Sequence, residues 1–224
     1  MWRVWMLWLG LSLSGISDAK QVMNIAGQEG DERFFNLVQA VYHEMGMTVT
    51  FQLVPAARAL SLVNSGQFDA EVGRVPEMTG QYPNLFYSSE PLLDVQLVAL
   101  VKKGSAIQLK TGQDLRPYRL GFLLGMSVAE LYSNNYGLTA IAVPTHAQLA
   151  RMLELNRLDV VLMGTAFSQS PVYDIAQSAL VLTSAHVYHI FNQQHQQLAP
   201  QFDAILIQMK KDGRYQQLLN NTQP

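Results

Sequence analysis

From Gln21 to Val72 the chain alternates strand and helix patterns, and this alternation limits its fold more than any other feature. "QVMNIAG" is a short apolar run ending in Gly27. Asp31 can cap the helix "ERFFNLVQAVYHEM", which carries Phe34, Val38, Val41 and Met45 on one stripe and stops at Gly46. "MTVTFQLV" alternates with the period of a strand. Pro55 opens the helix "AARALSLVNS", Gly66 stops it, and "FDAEV" reads as the third strand. A β-α-β-α-β unit of this kind predicts a parallel sheet covered by helices.

A second series follows a long extended run, "PLLDVQLVALVKK". "YRLGFLL" is a strand, and Gly125, Met126 and Ser127 lead into the helix "VAELYSNN". "LTAIAV" is a strand, Thr145 caps "HAQLARMLEL", and "RLDVVLMG" is another strand. "SALVLT" and "AHVYHIF" read as two extended pieces, and "QLAPQFDAILIQMKKDGRYQQLL" as helix broken at Gly213. Two α/β series joined by extended segments imply an α/β fold of two lobes, each a mostly parallel sheet flanked by helices. Hinge strands would run between the lobes. The expected boundaries give residues 20–98 and 189–224 to the first lobe and 99–188 to the second. Ligands of such sheets sit beyond the carboxyl ends of the strands, in the cleft.

The N-terminus is an address label. "MWRVWMLWLGLSLSGISDA" has a basic start, an apolar core and small residues at Ser17 and Ala19, the pattern of a cleaved secretory signal over residues 1–19. An uncleaved anchor is the alternative reading. The absence of Cys fits export to a bacterial periplasm without disulfides. A formal charge of −2 argues against a nucleic-acid partner. No nucleotide, metal or hydrolase motif occurs, so neither cofactor nor metal is expected. His186 and His189 would point to opposite faces of a strand. His43, His146 and His195 read as solvated helix positions.

The chemistry concentrates in "GRVPEMTGQYPNLFYSSEPL", where Arg74 stands just past the third strand. Its alternative roles are an anion clamp in the cleft or a structural ion pair with Glu71. Stacking on a ligand would fall to Tyr82, Phe86, Phe122 or Tyr132, with core packing the expected job of Phe86 and Phe122.

"PAARALSLVNSGQFDAEVGRV…YPNLFYSSEPL", with "DLRPYRLGFLLGMS", "LNRLDVVLMG" and "VYHIFNQQHQQLAPQFDAILIQMKKDG", resembles the periplasmic solute-binding proteins of family 3, in a divergent proteobacterial subgroup. The resemblance covers nearly all of the mature chain. It implies a monomeric, non-catalytic receptor that closes on a small-molecule ligand and serves an ABC permease or a membrane sensor. Several positions depart from the amino-acid-binding pattern. The arginine that holds an α-carboxylate falls on Gln81, the preceding hydroxyls on Pro76 and Met78, and the acid for the α-ammonium on Gly164. What remains is cationic: Arg58 and Arg74, with backbone donors from Gly125, Met126 and Ser127, and polar contacts from Glu29, Gln81 and Tyr82. That set predicts a carboxylate- or phosphate-bearing ligand. It also predicts that Arg74→Ala abolishes binding with little change in unliganded stability. An enzyme on this scaffold, a dehydratase of cyclic carboxylic acids using Glu29 or Glu71, is one alternative. A lobe pair that binds a protein partner is another.

Overall fold

Alternate apolar positions put Met23 and Ile25 on the buried face of β1 (Val22–Gly27). The computed structural model that shows this describes residues 21–28, 31–78, 80–165 and 171–220, so the signal-like segment and Glu29 lie outside it. Helix α1 (Glu32–Glu44) buries Phe34, Leu37, Val38, Val41 and Tyr42 against the sheet. Strand β2 (Thr48–Leu53) runs parallel to β1, from Val22 beside Thr48 to Gly27 beside Leu53. Helix α2 (Ala56–Asn64) and β3 (Ala70–Arg74) complete the first unit, with β3 parallel to β1 on its other side. A short β4 (Leu85–Tyr87) precedes the long β5 (Leu93–Lys102).

The second unit is β6 (Leu120–Leu123), α3 (Ser127–Tyr136), β7 (Ala140–Val143), α4 (His146–Glu154) and β8 (Val160–Gly164). Thr145 caps α4 as expected, its hydroxyl accepting from the Gln148 amide at 3.2 Å. The two extended pieces expected near the end are one strand, β9 (Ala176–Asn192), followed by α5 (Ala199–Asp212) and α6 (Arg214–Asn220). The strands run in the order β2-β1-β3-β9-β5-β8-β6-β7, and β4 pairs with β9 as well. Parallel pairing holds within each unit, whereas β5 and β9 are antiparallel to each other and to their neighbours.

Two large cores divide the molecule, with a small satellite of Ala26, Ala59 and Val63 beneath α2. One draws on Met23 to Val95 and on Phe191 to Met209, the other on Leu97 to Ala176. The division therefore falls between Val95 and Leu97 on β5, and between Leu182 and Ala185 on β9. Both strands pass from one core to the other as a paired ribbon, with register shifts at Leu97/Val98 and Ala99/Leu100. Bulges of this kind bend and twist a ribbon locally.

The entry to the ribbon is fixed by the C-terminal helices. Asp203 on α5 accepts from the Ser89 amide at 2.9 Å and the Glu90 amide at 3.1 Å. Lys210 donates to Glu90 at 2.7 Å and to the Pro91 carbonyl at 2.6 Å, and Tyr215 donates to the Leu92 carbonyl at 3.0 Å. Asp203→Ala, which strands two amides, is expected to lower the unfolding free energy by about 1–3 kcal/mol. Urea titration of the variant measures it, and an unchanged midpoint would mean that water replaces the carboxylate.

Two of the histidines depart from expectation, His146 and His195. His43 is exposed, but His146 bonds the buried Tyr173 hydroxyl at 2.9 Å, and His195 pairs with Asp69 at 2.8 Å while largely buried. His186 faces solvent beside Asp94, and His189, on the opposite face of β9, is fully buried. Phe122 packs in the core, whereas Phe86 is exposed on β4.

Candidate functional site

Arg74 ends β3, where the pairing with β9 shifts between Glu71 and Arg74. The shift turns the side chain away from regular strand alternation and into the gap between the cores. There it is only 3% exposed. One guanidinium nitrogen lies 2.7 Å from a carboxylate oxygen of Glu71, which is fully buried, and another donates to the Gly125 carbonyl at 2.8 Å. The first contact is a structural ion pair within the first lobe. The second joins the two lobes, because Gly125 sits just before α3. Val128 on the first turn of α3 packs against both cores, adding an apolar contact across the same gap.

Between these contacts lies a cavity of about 70 Å³. Its first-lobe wall is Gln28, Asp31, Phe34, Val72, Gly73, Arg74, Leu92 and Leu93, with Val95 and Gln96 on β5 and Val187 on β9. The other wall is Gly125, Met126, Ser127, Val128 and Gly164. Space on this scale holds a few waters or a compact organic ligand. The lining is mostly aliphatic, and Arg74 is its one cation among the described residues.

The sequence-derived candidates distribute unevenly over this geometry. Arg74, Gly125, Met126 and Ser127 line the cavity, and so does Gly164. Arg58 does not; it is exposed on α2, whose Ala59, Leu60 and Val63 turn to the interior instead. Gln81 is exposed and Tyr82 half-buried, and neither reaches the lining. Tyr82, Phe86, Phe122 and Tyr132 are likewise absent from the wall, where Phe34 is the aromatic residue. The anion clamp therefore lacks its second arginine in this form. The backbone donors expected before α3 are reduced as well: the Met126 amide bonds the Leu123 carbonyl at 2.9 Å, and Gly125 presents its carbonyl to Arg74.

Three polar lining residues lie outside the set of contacts that the sequence implies: Gln28, Asp31 and Gln96. The sequence marks Asp31 as a helix cap. It stands at the N-cap of α1, yet its side chain makes no cap bond; its carboxylate accepts from the Gln28 amide at 3.0 Å instead. Burial pushes the Glu71 carboxyl above the usual carboxylate range, and the Arg74 guanidinium beside it opposes that shift. Burial pushes the Arg74 guanidinium down, but Glu71, with Asp31 and Glu130 adding to the effect, pulls it above its ordinary value.

Solved structures share this architecture. The arginine-binding protein of T. maritima, as its P235GK mutant, superposes with a TM-score of 0.74 at 16% identity, over 89% of this chain and 94% of that one. A histidine kinase sensor domain with similarity to periplasmic binding proteins gives 0.75 at 17% identity, over 91% and 96%. The ancestral amino acid-binding protein AncCDT-1, a precursor of cyclohexadienyl dehydratase, gives 0.75 at 18% identity, over 89% and 94%. At such identities the likeness speaks for the fold alone. The sequence itself matches the bacterial extracellular solute-binding proteins of family 3 over residues 16–221, almost from end to end. The chain, with its paired lobes and the Arg74 cavity between them, belongs to that family.

Proposed function

We propose that this chain is a periplasmic receptor that takes a small solute into the interlobe cavity and closes around it through the β5–β9 ribbon, without transforming it. One observation carries the reading. A single cavity wall is built from both lobes, so a ligand there contacts both and favours the closed arrangement. Arg74, Gly125, Met126 and Ser127 are its proposed contacts, joined by Gln28, Asp31 and Gln96. Glu71 is poorly placed for acid–base work, because it is fully buried, committed to Arg74 and absent from the lining. Structures of this architecture include a histidine kinase sensor domain and a substrate binding protein of an ABC uptake transporter from Streptococcus pneumoniae, which illustrate two outlets for such a receptor, signalling and uptake.

The test is native mass spectrometry of freshly purified chain, followed by thermal melts with the molecules released from it. A retained small-molecule mass is expected in the wild type. It should be lost in Val128→Trp, which fills the cavity from the α3 side, while the far-ultraviolet circular dichroism stays unchanged. A wild type that retains nothing, and whose melting temperature no metabolite in a broad library moves, overturns the receptor reading.

A further inference from the structure

We propose a second binding site, outside the Arg74 cavity: the free edge of β9 at Thr183–Ala185. There an extended segment of a partner protein adds as a further strand and lays its apolar side chains on α3. β3 pairs with β9 only as far as Arg74, which stands beside Tyr188. Beyond it the chain enters a short helical turn at Pro76–Met78 and vacates the edge. On the opposite edge β5 continues in regular register, from Leu93 beside Val187 to Leu97 beside Thr183, before the shift at Leu97/Val98. Among the described residues no strand pairs with the outer edge over this stretch. Alternate amides and carbonyls of an antiparallel strand turn away from its single partner, so those of Thr183–Val187 face outward for a second. Free edges are commonly blunted by charge or proline, and Ala176–Ala185 contains neither.

A groove of about 270 Å³ lies against this edge, and Thr183, Ser184 and Ala185 all line it. A strand shows alternate residues to each face, so three in succession mean that the groove meets β9 edge-on. The other wall is α3. Val128, Leu131, Tyr132, Asn135 and Tyr136 line the groove at the three- and four-residue spacing of one helix face. The rings of Tyr132 and Tyr136 stack with centroids 4.4 Å apart, and Tyr136 is 43% exposed, so an aromatic surface is open to a ligand. A strand edge facing a helix stripe supplies both halves of peptide recognition: main-chain bonds for affinity, and a surface for every second side chain.

The walls decide the occupant. The groove is bounded by α3 and, on the first-lobe side, by Val75 and Glu77. A slot of that shape admits a slender extended segment and excludes the sheet edge of a second folded copy. Glu77 is exposed and is the one charged residue on the lining among the described residues, which adds a modest preference for lysine or arginine in the segment. With no cation on that lining among the described residues, the carboxylate of a free peptide finds no anchor. An internal segment of a longer chain fits better.

The experiment titrates the purified full chain with a labelled, acetylated and amidated hexapeptide, Lys-Val-Ser-Leu-Ser-Val, by fluorescence anisotropy, and follows amide hydrogen exchange with and without it. Saturable binding is expected, with exchange slowed about tenfold or more within Thr183–Val187. Methylating the serine amides blocks one edge of the peptide, and methylating the valine and leucine amides blocks the other. One pattern should abolish binding and the other spare it. Tyr136→Ala and Leu131→Asp, with unchanged far-ultraviolet circular dichroism, should each weaken the peptide roughly fivefold or more. The free-acid peptide should bind no more tightly than the amide. Binding that survives both methylation patterns, or Tyr136→Ala and Leu131→Asp alike, overturns the proposal. So does a chain that binds neither this peptide nor any member of a random hexapeptide array. Much tighter binding of the free acid overturns the partner protein as the source. A concentration-dependent dimer by light scattering, cross-linked between copies through Ser184→Cys, gives the edge to a second copy and overturns it too. Glu77, Leu131, Tyr136 and Ser184 do not line the Arg74 cavity, so the receptor reading stands or falls separately.

Discussion

Arg74→Ala is expected to destabilise the unliganded protein by about 3–5 kcal/mol, the cost of leaving a buried charge without its partner. This reverses what the sequence implies, since a clamp waiting in an open cleft could be removed with little loss. Burial changes the sign of the expectation. Glu71 is fully buried, Arg74 is 3% exposed, and their polar atoms meet at 2.7 Å. Truncation leaves a carboxylate in a low-dielectric interior and removes the donor to the Gly125 carbonyl. For a domain of this size that corresponds to a fall in melting temperature of roughly 10 °C. Glu71 can relieve part of the loss by taking up a proton, so the deficit should shrink as the pH is lowered. The double variant Glu71→Gln, Arg74→Gln removes both charges and should recover much of the stability, which separates an unpaired charge from a simple packing defect. Urea unfolding of the wild type, the single variant and the double variant decides it. An Arg74→Ala midpoint equal to that of the wild type would mean that water already reaches Glu71.

The same residue shows how much a linear reading can reach. The strand and helix alternation is visible in the sequence because α1 carries Phe34, Val38 and Val41 at helical spacing, and all three are buried against the sheet. The sequence divides β9 because Ser184 separates its two apolar pieces; pairing with β5, which sets Gln96 beside Ser184 and Leu97 beside Thr183, holds the backbone extended there regardless. Arg74 and the Gly125–Ser127 entry to α3 were found because each stands at the carboxyl end of a strand. Arg58 was included by the same rule and lies outside the cavity. On a helix, the turn of about 100° per residue decides which side chain faces inward, and here Ala59 and Leu60 take those positions. Asp31 and Gln96 gave no signal, since a helix cap and a hinge-strand amide have local explanations that account for the residue type in full. Only the approach of the two cores brings them to one wall.

His189 is expected to make the protein lose about 3 kcal/mol of stability as the pH falls from 6.5 to 4. The ring is fully buried, stacked on Phe202 with centroids 4.6 Å apart and set edge-on to Phe191. Its Nδ1 lies 3.1 Å from the Val72 carbonyl, which can only accept, so Nδ1 carries the hydrogen and Nε2 accepts from the Tyr42 hydroxyl at 2.9 Å. Burial also pushes the Tyr42 hydroxyl far above its ordinary range, so it stays protonated and does not titrate in this window. The neutral imidazole is thus satisfied, and desolvation holds its pKa down to about 4 against an ordinary 6.5. In the unfolded chain the ring takes up a proton near pH 6.5, whereas in the folded chain it does so only near pH 4. Between these values the unfolded state binds more protons, so stability is complete above the upper value and lost progressively below it. At about 1.4 kcal/mol per pH unit, the gap of roughly 2.5 units gives the stated magnitude. Glu71 acts in the opposite direction, because a carboxyl raised by burial favours the folded state as it protonates. Asp159, held low by Arg119, contributes only below the ordinary aspartate range. The reading that isolates His189 is therefore a difference between proteins. His189→Gln keeps a donor and an acceptor without a titrating group, and its unfolding free energy between pH 7 and 4 should fall less steeply than that of the wild type, by close to one proton at the steepest point. Parallel curves for the two proteins would mean that the ring gains its proton in the folded state as easily as in the unfolded one.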